Sequence, residues 1–93
     1  MSDVKHLFAD VAEKLVALYS EPFGGKPKGR YRIANKLVRS LAGRRRLYED
    51  DVQQLSRELL ERGYVLIDMD GFFVIMSANS FVNYRRVNEE AIT

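Results

Sequence analysis

Cysteine is absent from this sequence, histidine occurs once, and both prolines lie within one nine-residue stretch. Without cysteine there is no disulfide and no thiolate metal site, which fits a reducing compartment. No apolar run exceeds five residues, so nothing approaches a membrane span. The first twenty residues carry Asp3, Asp10 and Glu13 and lack the apolar core of a secretory signal, so the expectation is a cytoplasmic protein. His6 has no second histidine to work with and no serine with a plausible base, so the expectation is no enzyme, no metal and no cofactor. Acid is missing too, from one place: residues 24 to 46 hold nine basic side chains and no carboxylate.

Those nine are Lys26, Lys28, Arg30, Arg32, Lys36, Arg39, Arg44, Arg45 and Arg46, whereas residues 47 to 70 carry seven acids and two arginines. A net charge of +2 conceals this division. Cations confined to a quarter of the chain imply a polyanionic partner more strongly than the overall balance does. With 93 residues, 46% of them apolar, the chain is one small folded domain with one core.

Periodicity divides the chain into elements. Val4, Leu7, Phe8, Val11, Leu15 and Leu18 recur at three- and four-residue steps, predicting a helix over 3–20 with Ser2 or Asp3 as its cap. "PFGGKPKGR" (22–30) is a basic loop, followed by a short extended stretch within "GRYRI". A second helix is expected over 32–42, with Ile33, Ala34, Leu37, Val38 and Leu41 on its apolar side and Arg32, Lys36 and Arg39 opposite, ended by Gly43. A third over 48–62 buries Val52, Leu55 and Leu59 and stops at Gly63. Glu49, Asp50 and Asp51 fall in its first turn, where the helix dipole favours acid.

"YVLIDMDGFFVIM" predicts a hairpin over 64–77 turning at Asp70-Gly71, with Asp68 opposite Phe73, Ile67 opposite Val74 and Leu66 opposite Ile75. Both of its faces are apolar, so each needs a cover: the first helix, the tail (80–93), or a second copy of the chain, with the hairpin or first helix at a homodimer interface. In the tail, Ser80 is a candidate cap, and Phe81, Tyr84 and Val87 are candidates to pack back on the hairpin.

Three apparent motifs carry little. Gly24 and Gly29 have the spacing of a phosphate-binding loop, but Arg30-Tyr31 follow where Lys-Ser/Thr is needed and a helix precedes. "DMDG" opens like a calcium loop, but Phe72 to Met76 supply no oxygen ligands. Tyr31 and Tyr84, near arginines, are of the type that stacks on bases, although flanking the core is the stronger reading.

The order helix, short helix, turn, helix, hairpin resembles a winged helix-turn-helix domain, carried chiefly by "VQQLSRELLERGYVLIDMDGFFVIM", where a helix ends in Gly63 and passes straight into a two-stranded wing. The resemblance covers residues 30 to 77. It implies an α+β fold of three helices, a hairpin wing and a short C-terminal segment, and a regulator that binds double-stranded DNA, with RNA as the alternative polyanion. The nine cations become backbone contacts, and Gln53, Gln54 and Arg57 on the third helix become base-reading candidates, since glutamine suits adenine and arginine guanine. Asp50, Glu58 and Glu61 on that helix and Asp68 and Asp70 at the wing tip depart from such a pattern. They favour the rival expectation, a protein-interaction module on the same fold whose basic surface meets an acidic partner.

Overall fold

A computed structural model of the chain describes residues 4–93, with side chains from residue 6 onward. The expected caps Ser2 and Asp3, and the side chain of Val4, lie outside the described residues. The fold is mixed α and β: α1 (Val4–Tyr19), β1 (Tyr31–Ala34), α2 (Asn35–Ala42), α3 (Glu49–Glu61), β2 (Tyr64–Asp68), β3 (Phe72–Ser77), a 3₁₀ turn (Ala78–Phe81) and a one-turn α4 (Glu89–Ile92).

The three strands form one antiparallel sheet in the order β1-β3-β2. The hairpin register is the expected one, with Asp68 opposite Phe73, Ile67 opposite Val74 and Leu66 opposite Ile75. The sheet is not limited to the hairpin, however. β1 pairs along the free edge of β3, placing Tyr31 opposite Ile75 and Ile33 opposite Phe73. This corrects the second helix, which starts at Asn35 and not at Arg32. Residues 31–34 alternate buried and exposed, and their backbone groups are satisfied across the sheet, so Tyr31 and Ile33 become strand residues of the core. Leu37, expected on the buried side of the helix, is 51% exposed; Val38, expected there too, is buried, and Ala42 joins it.

One face of the sheet takes the helices. Phe73 and Ile75 are fully buried against Phe8, Val11 and Leu15 of α1 and Leu55 and Leu59 of α3. The edge of this core is bolted by polar contacts. The Tyr31 hydroxyl donates to the Leu15 carbonyl at 2.6 Å, and the Arg62 guanidinium reaches Glu58 at 2.9 Å and Glu13 at 3.5 Å. Burial raises the Tyr31 pKa above the usual phenol range, because the anion would sit in the core. The sign follows from linkage: the neutral hydroxyl stabilises the fold fully below about pH 10, and that stability is lost as pH climbs toward the raised value. Tyr31→Phe is therefore expected to cost about 1 kcal/mol at neutral pH and to flatten the alkaline decline of thermal stability. A variant that falls as steeply as the parent above pH 10 contradicts this.

Local sequence explains the element ends. Gly43 takes φ +65°, and the N–H groups of Gly43 and Arg44 close on the Ser40 and Arg39 carbonyls, a Schellman closure that ends α2. At the hairpin tip the left-handed residue is Asp70, at φ +76°, and not Gly71. The Gly71 N–H donates to the Met69 carbonyl and the Asp70 N–H to the Asp68 carboxylate, so a tight γ-type turn supports that conformation. Beyond β3, the Ser77 hydroxyl, not that of Ser80, accepts from the Asn79 N–H to start the 3₁₀ turn. Tyr84 and Val87 remain exposed instead of packing on the hairpin.

Candidate nucleic-acid interface

The loop between α1 and β1 has internal structure. Phe23 and Lys26 exchange both backbone hydrogen bonds at 3.0 Å around Gly24 and Gly25, which take φ +59° and +81°. This is the geometry of a primed two-residue turn, open to glycine at both positions. The Gly29 N–H then donates to the Tyr19 carbonyl at 2.9 Å, tying the end of the loop to the end of α1. The Phe23 ring stands edge-on to Tyr31 at 5.4 Å.

So anchored, the loop gathers four of the nine cations. Lys26, Lys28, Arg30 and Arg32 line one open cavity of about 490 Å³, walled by Phe23 and Tyr31, with a single acid, Glu21, in the lining. Arg32 points out from the sheet and also lies 5.7 Å from the centre of the Phe72 ring. Tyr31 is buried and hydrogen-bonded, which removes it as a stacking platform. Phe23 had no assigned role in the sequence. The signal was available, since a Gly-Gly pair between Phe23 and Lys26 marks a two-residue turn, but the prolines around it read as irregular loop.

A second group surrounds the turn between α2 and α3. Arg39 donates to the Arg45 carbonyl at 2.9 Å. Arg45 and Arg46 are exposed, as is Lys36 on α2. Arg44 has different surroundings. Its guanidinium lies 5.3 Å from the centre of the buried Phe8 ring and 3.2 Å from Asp51. The other oxygen of Asp51 accepts the Tyr48 N–H at 2.9 Å, half of a capping box at the start of α3. One carboxylate therefore caps α3 and holds Arg44 over α1, so Arg44 and Asp51 of the two opposed charge runs share a structural role. Among the described residues, Arg44 is the only one of the nine cations in an ion pair. The two groups are joined by α2, whose eight residues extend about 12 Å.

Comparison of the chain with models of known families, with characterised proteins and with solved structures finds no match. Its own geometry therefore carries the functional argument.

The outer side of α3 presents Asp50, Gln53, Gln54, Arg57, Leu60 and Glu61 to solvent. Gln53 and Arg57 line a recess of about 440 Å³ between α3 and β2, together with Val52, Ser56, Leu60, Leu66 and Asp68. Glu58 is turned to Arg62 and does not add to the acid of this face. The base-reading candidates and the loop cations thus belong to separate elements. No cluster of three or more His, Cys, Asp or Glu side chains arranged to hold a metal occurs among the described residues, and no described helix is long and apolar enough to cross a membrane.

Proposed function

We propose that this domain binds nucleic acid, most readily double-stranded DNA, through phosphate contacts from the α1–β1 loop, β1 and the α2–α3 turn. The observation that carries the reading is the loop cavity: four cations around one opening, facing one acid and engaged in no ion pair among the described residues. So concentrated a positive field is a phosphate-binding feature, because neutralising phosphates releases condensed counterions. The element order α1-β1-α2-α3-β2-β3 with strands in the order β1-β3-β2 supports a winged helix arrangement, in which β1 completes the sheet of the wing. On that reading Lys26, Lys28, Arg30, Arg32, Lys36, Arg45 and Arg46 position the backbone, with Arg39 beside Arg45, while Gln53, Gln54 and Arg57 face bases. Arg44 serves the fold first. A regulatory role in transcription follows from this class of fold by analogy.

A second reading rests on α3 itself. Asp50, Glu49 and Glu61 are exposed on it, and Leu60 is 60% exposed, a surface suited to a protein and repelled by phosphate. On this view the basic loop meets an acidic partner protein. Titrating binding to random duplex DNA against salt separates the two. The nucleic-acid reading expects the logarithm of affinity to fall linearly with the logarithm of salt, at about 0.9 per phosphate contacted. No binding to duplex at low salt rejects it in favour of the protein partner.

A further inference from the structure

The face of the sheet turned away from the helices is largely apolar and half-buried, with the Arg32 guanidinium lying over Phe72, and among the described residues no helix packs on it. Val65, Ile67, Phe72, Val74 and Met76 stand on it, with Ile67 opposite Val74 and Val65 opposite Met76, while Phe73 and Ile75 point the other way into the core. The chain leaves the sheet on the helix side. The Ala78 N–H donates to the Gly63 carbonyl, and Ser80 lines a recess with Tyr19, Lys28 and Arg30. From there residues 82 to 93 are exposed throughout, Val87 by 73% and Ile92 by 78%. The radius of gyration is 15.1 Å, against about 12 Å for a compact chain of this length. The segment projects from the body: Tyr84 meets the Phe81 ring, edge-on at 5.2 Å, and Val82, Val87 and Ile92 stay exposed.

The charges of the two surfaces are complementary. Asp68 and Asp70 at the hairpin tip, and Arg85 and Arg86 on the segment, are exposed and form no ion pair among the described residues. We propose that the occupant of the outer sheet face is a second copy of this chain: two molecules pair by exchanging residues 82–93. Each segment lies across the sheet of the other, with Val87 on Val74 and Ile67, and Arg85 and Arg86 turned to the partner's hairpin tip. Exchange covers two apolar surfaces at once, which a segment leaving on the opposite side of its own sheet does only by wrapping around an edge. The inference does not depend on nucleic acid, and its test contains none.

Sedimentation velocity on the full chain decides it. The parent is expected to be dimeric at about 100 µM, and Val87→Glu and Val74→Lys are each expected to weaken the dimer about tenfold or more, since either places an unpaired charge in the contact. The chain carrying both changes is expected to recover dimerisation, because the two new charges then meet across the exchanged segment. Val87 is so exposed in the single chain that Val87→Glu should leave the circular dichroism spectrum and thermal midpoint of the monomer unchanged. A parent chain that stays monomeric, as it would if the segment covered its own sheet, overturns the proposal. So does a dimer indifferent to Val87→Glu, or a double variant no tighter than the singles.

Discussion

Replacing Leu55 by alanine is expected to remove a large share of the domain's stability. Leu55 is fully buried at the centre of α3, among Phe8, Leu15, Phe73 and Ile75 in the single core. Truncating such a leucine removes its transfer free energy and leaves a cavity, a cost of about 3–4 kcal/mol. A domain of this size has only about 5–14 kcal/mol in total, so the loss is a large share. At roughly 4–8 °C per kcal/mol for a domain of 60–100 residues, the thermal midpoint should fall by about 15–25 °C. Leu60, five positions along the same helix and 60% exposed, supplies the control. Leu60→Ala should change stability by about 0.5 kcal/mol or less. Urea melts of the two variants check this, and equal costs would mean that α3 presents a different side to the sheet.

Neutralising Lys26, Lys28, Arg30 and Arg32 together as glutamine should nearly abolish duplex binding while the fold stays intact. All four are exposed and line one cavity, and none is in an ion pair among the described residues. If each touches a phosphate, the salt dependence of affinity should flatten by about 3–4 in log–log slope, and affinity at about 0.15 M salt should drop about 10²- to 10³-fold. Arg44→Gln should behave in the opposite way: its guanidinium spans Phe8 and Asp51, so stability falls more than binding does. Changing Gln53 or Arg57 should alter sequence preference and leave the slope nearly as it was. An unchanged slope in the quadruple variant would place the phosphate surface elsewhere on the molecule.

Much of this arrangement was legible in local pattern. α1 and α3 each repeat apolar residues at the helical period, and Gly43 and Gly63 mark helix ends by their positive φ. The hairpin register follows from two β-rich runs flanking Asp70-Gly71, since a two-residue turn leaves one pairing. The acid-free stretch marks where positive charge concentrates along the chain.

What stayed hidden needed contacts distant in sequence. The sequence around Tyr31 suggests a short extended stretch, but nothing there shows that residues 31–34 pair into a sheet, because their partners lie 38 to 44 positions away in β3. Four residues starting a helical apolar pattern read as helix until an open sheet edge is supplied. The pattern also gave two apolar hairpin faces with no means of choosing between them. The helices chose, covering Phe73 and Ile75 and leaving Val74 and Met76 outside. Arg44, Arg45 and Arg46 are identical as letters, and only packing assigns one to Phe8 and Asp51 and leaves two in solvent. Sequence by itself determined the helices α1 and α3, the hairpin and the sign of the surface, because these depend on spacing and charge along the chain. Tertiary structure alone decided the pairing of the third strand, the buried face of the sheet and which cations remain unpaired, because each depends on what arrives beside a residue in space.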